Sequence, residues 1–166
     1  MLQKNQQQQQ LKKKFEYDPE TGLFYRKEKV TNSAGIGSIA GFTDERGYVR
    51  IKIGSSIYAA GRLAYLYMTC SFPENMVDHI NCIKDDNRWC NLREATNSEN
   101  LQNQTIALPF NKTGLLGVSK YGNTNKYTAQ IYLNGKKKHL GYFDCKYKAH
   151  QAYLDAKREL HTHCTI

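Results

Sequence analysis

Between Val77 and Asn103 the chain reads VDHINCIKDDNRWCNLREATNSENLQN, and no other stretch narrows its possible folds so far. Val77 to Ile80 and Leu92 to Ala95 are short runs of extended propensity joined by a polar loop. Thr96 or Asn97 then offers an N-cap for a helix opening with Ser98 and Glu99. The order is strand, loop, strand, helix. Neighbours on a strand project to opposite faces, so Asp78 and His79 are expected to look in opposite directions. Asn100, in the first helical turn, is then placed to reach back toward a cation held by Asp78.

These residue types suit the hydrolysis of a phosphodiester. That reaction needs a hard divalent ion on oxygen ligands to offset the charge that develops on phosphorus. It also needs a base of near-neutral pKa to take a proton from water. An Asp, an Asn and a His supply those parts, and an ion that accepts few protein ligands, such as magnesium, suits so sparse a set. A zinc set of Cys70, Cys82 and Cys90 with His79 is the weaker expectation, because no CxxC pair occurs and scattered cysteines are commonly small buried hydrophobes.

The rest of the chain supplies context. Its 166 residues, 40% hydrophobic, suffice for one ordinary domain or two small ones. The five cysteines, with no leader and no apolar run of roughly 20 residues, give the expectation of a cytosolic chain with free thiols and no membrane span. The net charge is +9, and residues 111–166 hold ten basic against three acidic residues. A small basic chain expects a polyanionic partner, nucleic acid first. The glutamine run Gln6 to Gln10 is expected to be disordered unless Leu11 and Phe15, at i and i+4, close a short helix. The turn DPETG before LFYRK predicts a first hairpin, and GSIAGF with GYVRIKIGSSIYAA predicts half-buried strands. Ala60 to Met68 shows helical spacing at Leu63, Ala64 and Tyr67, with Pro73 as its expected stop.

The quartet Asp78-His79, Asp85-Asp86-Asn87-Arg88, Asn91-Leu92-Arg93 and Ser98-Glu99-Asn100 resembles the HNH nuclease family, in particular the group encoded by phages and group I introns. The resemblance implies a ββα-metal (His-Me finger) domain over residues 15–103. It also implies roles: metal ligation by Asp78 and Asn100, general base for His79, and bracing of the His-bearing loop by Asn91. The family has a His before the Arg-Leu of its helix, where this chain has Gly61 before Arg62-Leu63. That His is not the base, so chemistry survives its replacement in this reading; the alternative is a catalytically inactive DNA-binding regulator derived from such a nuclease.

Past Pro109, which ends a polar linker at 104–112, the pattern changes. Asn134-Gly135 between two alternating runs is a hairpin signal. Pairing Leu133 with Lys136 puts Tyr127, Ala129, Ile131, Leu133, Leu140 and Tyr142 on one face and Thr128, Gln130, Tyr132, Lys137 and His139 on the other. A helix with Ala149, Ala152, Tyr153, Ala156 and Leu160 in register, capped by Asp144, would cover the first face. His161 and His163 read as a frayed end without function. Gly117-Val118, Ala129-Gln130-Ile131 and Leu140-Gly141-Tyr142-Phe143-Asp144 resemble the ethylene-response-factor (Apetala-type) DNA-binding domain. That resemblance implies DNA contacts by the open face, carried here by Ser119, Lys120, Tyr121, Gln130, Tyr132, Lys137 and His139; several arginines and the tryptophan of that family are missing.

The sequence is therefore expected to be an α+β chain: a low-complexity start at 1–14, an HNH domain at 15–103, and a three-stranded antiparallel sheet packed on one helix at 113–162. Its expected function is homing-type endonuclease, nicking double-stranded DNA as a monomer in a phage-infected or bacterial-type cytoplasm. The expected cofactor is one Mg2+ or Mn2+ per site, with no small-molecule cofactor. RNA binding by the same basic tail is the third class, disfavoured because the deep, narrow major groove of duplex RNA excludes a sheet.

Overall fold

In the computed structural model, residues 2–29, 35–133, 135–162 and 164–165 are described, those at 2–5 by backbone alone. Among them are four helices and several small antiparallel sheets, a mixed α/β architecture. None of these helices is long and apolar enough to cross a membrane. The chain divides into two compact units, Met1–Ala95 and Thr96–Ile166.

In the first unit, α1 (Leu2–Lys14) runs directly into β1 (Phe15–Tyr17), which pairs with β2 (Phe24–Arg26). The expected turn joins them: the Asp18 carboxylate accepts the Glu20 amide and the Thr21 hydroxyl. The glutamine run is helical and not disordered. Leu11 is buried in the core, and the buried Gln8 side chain donates to the Tyr67 carbonyl. Packing on one side thus holds a helix that its composition alone would not specify.

Strands β3 (Phe42–Thr43), β4 (Val49–Ile53) and β5 (Ser56–Ala59) form a sheet in that order, and Ile51 points into the core as the alternation requires. α2 (Ala60–Thr69) buries Leu63, Ala64 and Leu66 on one side. Its stop is Cys70 and not Pro73: Cys70 takes a left-handed conformation, φ 65°, and its N–H returns to the Leu66 carbonyl. A loop then leads to β6 (Met76–His79), paired through a 3-10 turn at Trp89–Asn91 with β7 (Leu92–Ala95).

In the second unit, α3 (Asn97–Gln102) has Thr96 as its N-cap. The Thr96 hydroxyl accepts the Glu99 amide, and the Glu99 carboxylate accepts the Thr96 amide. Strands β8 (Val118–Lys120), β9 (Tyr127–Leu133) and β10 (Lys136–Phe143) form a sheet with β9 central, against which α4 (Lys146–Leu160) packs. Leu133 does pair with Lys136; Asn134 itself lies outside the described residues, as does His163. His161 follows α4, its Nε2 2.9 Å from the Tyr132 carbonyl.

Three expectations fail in this unit. The β9–β10 register slips between His139 and Gly141, so Gly141 and not Leu140 opposes Ala129. This bulge moves Tyr142, 54% exposed, to the open face and packs the half-buried Phe143 against the core. The N-cap of α4 is Cys145 and not Asp144. Finally, the most buried positions of α4 are Ala149, Tyr153 and Lys157, with Lys157 in place of Ala156 and Leu160. The Lys157 ammonium is fully buried and donates to the Gln104 carbonyl, as a charge removed from water requires.

Candidate functional site

The β6–β7 pairing sets the geometry. Asp78 stands opposite Arg93, and the guanidinium grips one carboxylate oxygen, Oδ2, through Nη2 at 2.8 Å and Nε at 2.9 Å. His79, next along the strand, faces the other way and is 7% exposed. Its Nε2 lies 3.3 Å from Asn87 Oδ1, and its ring centre lies 5.9 Å from that of Tyr48. Because Asn87 Nδ2 donates to the Asp85 carbonyl, the Asn87 oxygen faces the histidine. The neutral ring then carries its proton on Nε2 and its lone pair on Nδ1. Burial pushes the His79 pKa below the usual imidazole value, against the upward pull of the Asn87 hydrogen bond and of Asp78, Asp86 and Asp85. A neutral imidazole at pH 7 can accept a proton from water.

The loop between the strands is tied at both ends by one side chain. Asn91 Nδ2 donates to the Asp86 carbonyl at 2.8 Å, and Asn91 Oδ1 accepts the Asn81 amide at 2.9 Å. Asp86 is held by Arg88 at 2.6 and 2.8 Å and by Asn81 Nδ2 at 2.6 Å; the Arg88 hydrogen bonds lead in drawing its pKa down to about 2. The first hairpin supports the loop from behind. Tyr17 Oη donates to the Asn87 carbonyl at 2.7 Å, and the Trp89 amide donates to the Pro19 carbonyl at 2.9 Å. Gly22, φ +74°, lies so near that a Cβ there would fall 2.4 Å from backbone atoms of Asn87 and Arg88. Gly61 is a close approach as well: a Cβ on it would meet Val77 Cγ1 at 3.2 Å and Asn87 Oδ1 at 3.3 Å.

Asp78, His79 and Asn91 thus stand together on one hairpin of the first unit, whereas Asn100 lies in α3 of the second. No group of three or more His, Cys, Asp or Glu able to hold a metal occurs among the described residues, and the zinc set of Cys70, Cys82 and Cys90 is not assembled there. The Asp78 carboxylate is shared with the Arg93 guanidinium, and carboxylate oxygens are the donors that a hard divalent ion takes. Sequence reasoning gave no role to Asn87, Arg93 or Tyr48. Asn87 and Arg93 both stand in the motif runs that carry the family resemblance, but that pattern attaches no role to either.

Residues 58–102 match the family model of the HNH endonuclease. No curated protein and no solved structure matches the chain significantly. The HNH endonuclease match runs from β5 into α3, includes Asp78, His79, Asn91 and Asn100, and indicates a nuclease acting on DNA.

Beyond the HNH endonuclease match, β8, β9 and β10 present a face that α4 leaves open. Ser119 aligns with Thr128 and Tyr142, Gln130 with His139, and Tyr132 with Lys137. The Tyr142 ring lies 4.5 Å from those of both Tyr121 and His139, and Thr128 Oγ1 lies 3.1 Å from His139 Nδ1. Lys120 differs from the other expected contacts, since its register partner is Tyr127, in the row of Phe143 on the helix side.

Proposed function

We propose that this chain is a site-directed DNA endonuclease of the homing type. In this reading a monomer nicks one strand of double-stranded DNA in a phage-infected or bacterial-type cytoplasm and needs no small-molecule cofactor. Residues 15–103 act as a ββα-metal nuclease domain. Residues 113–162, joined by the linker at 104–112, act as an ethylene-response-factor-like reader of DNA, and residues 1–14 support the core. The observation that carries this reading is a buried, Asn87-oriented His79 next to Asp78 within the HNH-matched hairpin.

Asp78 and Asn100 would hold one Mg2+ or Mn2+, which when bound supplies positive charge against the phosphate oxygens. His79 accepts the proton of the attacking water at Nδ1, with Nε2–H fixed on Asn87 Oδ1. Asn91 keeps the loop that carries Asn87 at its working distance. Arg93 orients the Asp78 carboxylate. Products carry a 5′-phosphate and a 3′-hydroxyl. On the open face, Ser119, Tyr121, Gln130, Tyr132, Lys137 and His139 contact the major groove, lysine on phosphate and the polar groups on base edges. Lys120 supplies a phosphate contact from the rim.

The test uses pooled supercoiled plasmids bearing random inserts, incubated with the protein and Mg2+ or Mn2+. Relaxed circles are expected with either ion and are lost with EDTA or on His79→Ala, while DNA binding by gel shift persists. Binding without ion-dependent nicks, unchanged by His79→Ala, would establish the inactive regulator instead.

A further inference from the structure

Tyr48 and its neighbours lie outside the chemistry just assigned, yet they touch it. The tyrosine closes a tight turn between β3 and β4, where the Asp44 carboxylate accepts the Tyr48 amide at 2.9 Å. One neighbour of its ring is His79. Two others are cations: Lys84 Nζ stands 5.1 Å from the ring centre and the Arg50 guanidinium 5.6 Å from it. The two cations differ in a decisive way. Arg50 is neutralised by Asp44 at 2.7 Å. Among the described residues the ammonium of Lys84 donates to the Arg46 carbonyl at 2.9 Å and stands over the ring, and both of these partners are neutral.

An ammonium has three donors and a full charge. A surface lysine ordinarily keeps its rotamer freedom in water. This one is laid across from a loop 38 residues distant, fixed over an aromatic shelf one ring away from the imidazole, and it remains exposed. Charge complementarity with a polyanion is the function left for it. We infer that Lys84, seated on Tyr48 beside His79, binds a phosphate of the DNA strand next to the one that is cut. Its place beside the cleaved phosphate rests on the nuclease reading above; the phosphate contact does not. Tyr48 is a positioning residue, acting by holding the ammonium.

The full chain tests this with a DNA duplex containing a site recovered from the binding pool. Lys84→Ala is expected to flatten the plot of log affinity against log salt by about one contact's worth. In nicking assays it raises KM several-fold with kcat nearly unchanged. Lys84→Arg restores both, and Tyr48→Ala reproduces the loss in weaker form while Tyr48→Phe does not. Lys84→Gln, of similar length and uncharged, should behave as Lys84→Ala and separates lost charge from lost packing, with circular dichroism confirming the fold. An unchanged salt slope and KM in both variants would overturn the inference and leave the nuclease reading intact. Wild-type protein that never nicks, but loses salt slope on Lys84→Ala, would overturn the nuclease reading and leave the phosphate contact standing.

Discussion

At the scale of single residues, two groups on one hairpin answer to pH in the same direction for different reasons. His79 titrates below its unfolded value of 6.5 because burial disfavours the charged ring. Below that value the unfolded chain binds more protons than the folded one, so stability is full above 6.5 and declines as pH falls toward the folded pKa. Asp86, lowered from 3.8 to about 2 chiefly by its hydrogen bonds to Arg88, contributes stability above 3.8 that is lost as pH falls toward 2. Because its partner Arg88 is half exposed, solvent screens the pair and the share of Asp86 is the smaller. Urea unfolding followed from pH 7.5 down to pH 3 should show a first decline beginning near 6.5 that His79→Gln removes and a weaker second one that it leaves. The local identity of these residues was readable from the motif. The burial of His79 was not, because it comes from segments distant in sequence such as the turn that carries Tyr48, whereas the Arg88 and Asn81 contacts of Asp86 lie within its own loop.

At the scale of elements, the nuclease hairpin depends on one that bears no chemistry. The β1–β2 turn reaches the Asn87 loop through the Tyr17 hydroxyl, the Pro19 carbonyl and the bare Cα of Gly22. Gly22→Ala places a methyl 2.4 Å from backbone atoms at a positive φ, so neither part can relax cheaply. It is expected to destabilise the protein by more than about 1 kcal/mol, measured by the urea midpoint, and to slow nicking through displacement of Asn87. The turn itself was legible, since Asp18, Pro19 and Gly22 specify it locally, and so was the Thr96–Glu99 capping box. The bulge between His139 and Gly141 was not: alternation along one strand says nothing about a slip against its partner, and one extra residue moved Tyr142 from its expected helix-side row to the open face. Gly61 shows the same limit. Read along the chain it was a departure from a pattern; in three dimensions it is where α2 approaches Val77 and Asn87.

For the whole molecule, charge is the property that predicts behaviour. With +9 overall and most of it beyond Phe110, DNA affinity should fall steeply with salt, by roughly 10³-fold between 50 and 200 mM if about six phosphates are contacted. Within that total, Lys137→Ala, on the open face, should reduce the salt slope by about one unit. Lys120→Ala, on the helix-side row, should change it less. Fluorescence anisotropy across a salt series measures both.

Amino-acid order alone was enough for the first hairpin turn, the capped helix after β7, the charge asymmetry and the adjacency of Asp78 and His79, because turns, caps and alternation act over a few residues. Tertiary packing alone determined that the glutamine run is a helix, that Arg93 grips Asp78, that Asn87 orients His79 and that Lys84 rests on Tyr48. Those pairings join residues whose separation in the chain carries no local signal, and only the packing of the elements that bear them brings them within range.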